Sequence, residues 1–151
     1  MTFATALANL SALTVSGIAH NYSVDSVPDS LHRAQLPALL VMPIDAQADQ
    51  LFAESGHAFE GVAFADGTKQ VQYTTTNLLL VAPAPQGRGL RDHLPTLVNA
   101  IDAYMSALSA DIRLGDTLSV PATVRIEPAL YTHGKTQYVG CAFRHTWTIS
   151  L

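Results

Sequence analysis

Near the amino terminus, apolar residues fall at Phe3, Leu7, Leu10 and Leu13, in steps of four, three and three. That spacing places one apolar stripe on a helix and predicts α-helix over residues 2–12, with Gly17 marking its end or the following turn. Residues 21–35, NYSVDSVPDSLHRAQ, are rich in Ser, Asp and Pro and have no period, so they read as a connecting loop. Residues 36–43, LPALLVMP, are apolar without alternation, which predicts a strand buried on both faces with Pro37 and Pro43 at its ends. Residues 45–56 offer only Ala, Leu51 and Phe52 as apolar content and receive no assignment.

Two β-rich runs then flank Asp66-Gly67, a dipeptide suited to the positive φ angles of a tight turn, and predict an extended hairpin. Its second arm, from Thr68 to Ala82, opens with Gln70, Gln72 and three threonines and closes with Leu78 to Val81, so it is expected to start in solvent or against a partner and end in the core. PAPQGRG, residues 83–89, reads as a linker. Leu90, Leu94, Leu97 or Val98, Ile101, Met105 and Leu108 step by three and four and predict a long amphipathic helix over residues 90–109, with Pro95 tolerated in its first turns and Gly115-Asp116 closing the segment. The chain ends in a second hairpin, residues 121–131 and 137–151, joined around His133-Gly134. Val139, Cys141, Phe143, His145, Trp147, Ile149 and Leu151 share one face of its last strand; Tyr138, Gly140, Ala142, Arg144, Thr146, Thr148 and Ser150 share the other. The predicted fold is a single α+β domain spanning residues 1–151: a largely antiparallel sheet with two helices packed on one face and an extended β-hairpin.

Composition adds one feature to this picture. Of 151 residues only 13% are charged, about half the usual ~25%, and low charge is a mark of buried interfaces. Part of the surface is therefore expected to be covered by partner subunits, a large core being the plainer explanation. The net charge of −4 argues against a dedicated nucleic-acid binder with a large basic surface. Cys141 is the only cysteine, which excludes an internal disulfide and a multi-cysteine metal cluster. The amino-terminal segment has no basic leader, and the longest apolar runs are of strand length, so no signal peptide, membrane span or membrane association is expected and the protein should be soluble.

The candidate chemistry is sparse. His20, His32, His57, His93, His133 and His145 show no ligand spacing such as HxH or HExxH, and a histidine on the apolar face of a strand, as His145 is, reads as a satisfied core or interface residue before it reads as a ligand. Cys141 lies mid-strand among apolar neighbours, where packing is the better reading. Neither a GxSxG elbow, a phosphate-binding GxxxxGK[ST] nor a GxGxxG fingerprint occurs. The QGRG cluster before the long helix reads as a linker before an anion site, and the scattered aspartates form no convergent acid–base pair. Arg88 and Arg91 form a small basic spot there. No catalytic residue, metal or cofactor is expected.

The order of elements and several phrases carry a resemblance: LPALLVMP, the hairpin FEGVAFADGTKQVQYTTTNLLLVAP, the helix LPTLVNAIDAYMSALSAD, and the closing ATVRIEPALYTHGKTQYVGCAFRHTWTISL, of which YVGCAFRHTWTISL is the most characteristic. Over nearly its whole length the chain resembles the tail terminator and tail-completion, or head–tail joining, proteins of long-tailed bacteriophages. The resemblance implies a non-enzymatic virion protein of the tail or neck, made in the host cytoplasm. It also implies a homo-oligomeric, hexameric ring that caps the tail tube, ends tail elongation and joins the tail to the head. The implied partners are further copies, the tail tube protein and a head-side connector or stopper, with DNA passing through the ring without sequence-specific binding. The expected partner interface comprises Asp66, Gly67, Lys69, Gln70, Gln72 and Tyr73 of the hairpin, with Arg88 and Arg91. The alternatives are another neck or minor tail role, or a small ligand-binding protein or enzyme using His145 or Tyr138.

Overall fold

The computed structural model describes residues 2–41, 62–65, 68–84 and 90–151. In chain order they form α1 (Phe3–Ser11), β1 (His20–Tyr22), β2 (Ala38–Val41), β3 (Val62–Ala65), β4 (Thr68–Pro83), α2 (Leu94–Ser109), β5 (Thr123–His133) and β6 (Thr136–Ser150). The strands make one sheet in the order β1-β2-β4-β6-β5, with β3 paired to the start of β4. Only β1 and β2 run parallel; every other pairing is antiparallel. The fold is α+β, as the hydrophobic pattern predicts.

Each predicted element has a local cause. Thr2 caps α1 by accepting the Thr5 N–H on its hydroxyl at 3.1 Å. Leu90–His93 forms a 3-10 turn and α2 begins only at Leu94, which puts Pro95 in its first turn, where a missing N–H leaves no bond unmade. β2 is buried on both faces along all four residues, as an unalternating apolar run requires. It is shorter than the predicted 36–43, and residues 42–43 lie outside the described residues, as do the unassigned stretch 45–56 and the Asp66-Gly67 turn. The strands flanking that turn do pair, with Ala65 opposite Thr68.

The two helices cover one face of the sheet. Ala6, Leu7 and Leu10 of α1 and Leu97, Ala100, Tyr104 and Leu108 of α2 pack on Leu39, Leu79, Cys141, Phe143, Trp147 and Ile149. The opposite face is not uniformly open, which corrects the reading of residues 21–35 as a simple connection. Residues 20–22 pair as β1, a 3-10 turn forms at Arg33–Gln35, and Val27, Leu31 and Leu36 cover a second apolar cluster of Leu40, Leu78, Leu80, Tyr138 and Ala142. The segment is pinned to the β5–β6 hairpin. His133 Nε2 donates to the Pro28 carbonyl at 2.7 Å, and Tyr138 donates to the Leu31 carbonyl at 3.4 Å. Gly134 turns that hairpin at φ +63°, and a Cβ there would come within 2.5 Å of the Asp29 carbonyl oxygen.

β4 and β6 are the spine. They are 16 and 15 residues long and pair from Gln70↔Ser150 to Pro83↔Tyr138, with a register shift between Leu80 and Ala82. Gly140 sits at that irregularity, where the backbones approach so closely that an added Cβ would meet the Leu79 carbonyl oxygen at 2.1 Å.

Candidate interaction surface

Among the expected interface residues, Lys69, Gln70, Gln72 and Tyr73 occupy the start of β4. Alternation divides them. Tyr73 lies opposite Trp147, so it and Lys69 project on the helix side, while Gln72, opposite Thr148, and Gln70 project on the other. The Tyr73 ring is stacked on Phe3 of α1 at 4.3 Å and 9°, and Phe3 in turn lies 5.8 Å from Trp147, so Tyr73 closes the end of the core. Lys69 and Gln72 are exposed, and the Lys69 carbonyl accepts the Leu151 N–H at 2.9 Å. Arg91 is exposed in the 3-10 turn just before α2. Asp66, Gly67 and Arg88 lie outside the described residues.

The face of the sheet away from the helices carries a polar ladder where the 23–36 segment does not reach. Gln70 faces Ser150, Gln72 faces Thr148 and Thr74 faces Thr146, all from β4 and β6. At its inner end Arg144 donates to Glu127 through Nε and to the Thr76 hydroxyl at 3.3 Å, while Arg125 Nε donates to the other Glu127 oxygen at 2.9 Å. The hydrogen bond from Arg144, reinforced by both positive charges, holds the Glu127 carboxyl below its ordinary pKa. Two arginines on one carboxylate leave this patch with one positive charge.

Polar chemistry on the helix side is buried. His145 is fully enclosed between β6 and α2; Trp147 Nε1 donates to its Nδ1 at 3.3 Å, and its Nε2 meets the Tyr104 hydroxyl at 2.6 Å. Because Nδ1 accepts, Nε2 carries the proton of the neutral ring and donates to Tyr104. Asn77 Nδ2 also donates to that hydroxyl, at 3.2 Å. Burial lowers the His145 pKa to about 3 and raises that of Tyr104. The ring is therefore neutral across the physiological range, a satisfied core histidine. Burial likewise pushes the Cys141 thiol up to about 12, which leaves it unreactive.

Sequence reasoning placed His145 on the apolar face but missed its partners. Asn77, the single amide interrupting the run from Thr74 to Val81, was the available signal. Among the described residues no group of three or more His, Cys, Asp or Glu could hold a metal ion, and no helix is long and apolar enough to cross a membrane. No family model matches the chain, and no curated protein matches it.

Proposed function

We propose that this chain is a structural subunit of a bacteriophage tail or neck, assembling into a ring that caps the tail tube, ends its elongation and joins it to a head-side connector. The observation that carries this reading is the construction of the spine. β4 and β6 are roughly three times the usual strand length of about 5–6 residues, and among the described residues their outer half extends beyond the β2 pairing, with β3 as an arm on one side. A ring closes by heterologous contacts, so a subunit needs unlike faces, and the arm and the β5 side of the sheet are unlike. The low charge of the sequence supports extensive contact between subunits. An enzyme or ligand-binding reading would rest on His145 or Tyr138, and both side chains are buried and hydrogen-bonded within the core.

The test is the solution mass by light scattering over a range of concentrations, with and without tail-tube protein. A discrete ring-sized oligomer, alone or on the tube, is expected; a monomer that ignores the tube overturns the proposal. Deleting residues 65–70 should abolish ring or tube association while the monomer stays folded by circular dichroism, and unchanged assembly would remove the arm from the interface.

A further inference from the structure

The exposed large apolar side chains of the described residues are not scattered. Of eight, six are Leu94, Val98, Ile112, Val120, Ile126 and Leu130, each between 40% and 51% exposed. All six come from α2, its carboxy-terminal extension, and β5 with the residues leading into it.

Chain geometry brings four of them, Leu94, Val98, Ile126 and Leu130, to one groove, and the Ala122 N–H to Ile112 carbonyl bond sets Ile112 and the chain leading into β5 beside its upper end. Seen from the helix side with β6 running upward, L chirality puts the peptide groups of residues facing the viewer on the right. Leu151 continues the helix-side alternation of β6 and gives its N–H to Lys69, so β4 lies to the right of β6 and β5 to the left. α2 also runs upward. Tyr104 stacks on Phe143 at 3.8 Å, and farther along the chain the Ile112 carbonyl accepts from Ala122, beside the Thr123↔Thr146 pair. A right-handed helix advancing about 100° per residue then turns Val98, and with it Leu94, Ile101 and Met105, from the buried Leu97 line toward β5.

Ile126 and Leu130 face the same side, since they lie opposite Phe143 and Val139. The ten residues from Tyr104 back to Leu94 rise about 15 Å, the rise of four to five strand residues, which sets Leu94 level with Leu130. Among the described residues the result is an apolar groove walled by α2 and floored by β5, the last strand in the sheet order.

We propose that this groove is a docking face for a second copy of this chain. The four groove side chains, with Ile112 and Val120 on the chain that leads into β5, are each nearly half exposed and together leave on the order of 400–500 Å² of apolar surface, about the apolar share of the ~800 Å² that one subunit contributes to a standard interface. An added β-strand fits less well. The outward-facing peptide groups of β5 belong to Val124, Ile126, Pro128 and Leu130, and Pro128 has no N–H to give at the centre of that edge. An anionic membrane or nucleic acid fits less well too, because the only charged residue of α2 is acidic, Asp102. The inference deepens the ring reading and takes from it the number of copies, but the contact itself requires only self-association.

The test is sedimentation velocity on the full chain, comparing wild type with Val98→Glu and Ile126→Glu, and with Val24→Glu as a control at an equally exposed position outside the groove. Wild type and V24E should associate alike. V98E and I126E should each weaken association by about 30-fold or more, as for a truncated interface centre, with unchanged circular dichroism and urea midpoint. A wild type that stays monomeric to its solubility limit overturns the inference, as does equal association of all four proteins. Loss of association by V24E as well also overturns it. Groove-dependent self-association that never reaches ring size or binds the tube keeps this inference and sinks the ring proposal; ring assembly indifferent to V98E does the reverse.

Discussion

Acid should loosen this protein through His145. In the native state its Nδ1 accepts from Trp147 and its Nε2 donates to Tyr104, so a second proton has no acceptor and would place a charge in the core. The folded pKa lies near 3 against 6.5 for the free side chain. A depressed histidine pKa contributes stability that is complete above the unfolded value and is lost as pH falls toward the folded one. The window therefore runs from about pH 6.5 down to about pH 3, at about 1.4 kcal/mol per pH unit within it. By pH 5 the loss is about 2 kcal/mol, a sizeable part of the 5–15 kcal/mol typical of a domain. Urea unfolding of wild type and His145→Gln at pH 7, 6 and 5 isolates this effect, because every other titrating group is common to both. H145Q should be less stable at pH 7 and should close the gap by about 2 kcal/mol at pH 5. Parallel stability curves for the two proteins between pH 7 and pH 5 would refute the reasoning.

Three further outcomes follow from the same geometry. Tyr104→Phe removes the hydroxyl that joins Asn77 to His145 and leaves both short of a partner, so urea unfolding should show a loss of about 1–3 kcal/mol with the fold retained. Gly140→Ala forces β4 and β6 apart at the Leu79 carbonyl, and the thermal midpoint should fall by more than any exposed substitution lowers it, at a cost of about 2 kcal/mol or more. Glu127→Gln breaks the Arg125 and Arg144 pairs in a half-exposed place, so its cost at pH 7 should stay within about 1 kcal/mol. The lowered Glu127 pKa means that this contribution is present above the unfolded carboxylate value and fades below it, so wild type and E127Q should converge as pH falls below the ordinary carboxylate range.

The periodic parts of the chain were legible. The α1 and α2 stripes, the two-sided burial of β2, the polar-to-apolar gradient of β4 and the alternation of β6 are local signals, and the helices, strands and core follow them. What was not legible depends on contacts between distant residues. β1 is three residues long and pairs in parallel with β2, a partner sixteen or more positions away that no period announces. The covering role of Val27, Leu31 and Leu36 is invisible because a loop that buries isolated side chains against a sheet has no repeat. The polar neighbours of Tyr73 in sequence give no hint of its stacking on Phe3, which depends on where α1 crosses the sheet. The groove between α2 and β5 required the handedness of the assembled layers, which no single segment contains.

The uneven cover of the spine has a mechanical consequence. Among the described residues, one end of the β4–β6 ladder is gripped on both faces, by the helices and by the 23–36 segment, whereas the other end has a layer on one face only. Among these residues it is built as a cantilever, held at the root around Leu80 and Tyr138 and covered from the helix side alone toward Gln70 and Ser150. The described side chains on that face of the tip are polar, Gln70, Gln72 and Thr74 opposite Ser150, Thr148 and Thr146, so bending there disturbs no apolar contact among them and the tip should yield before the root. Such a subunit can adjust its reach to a neighbouring surface without loosening its own core.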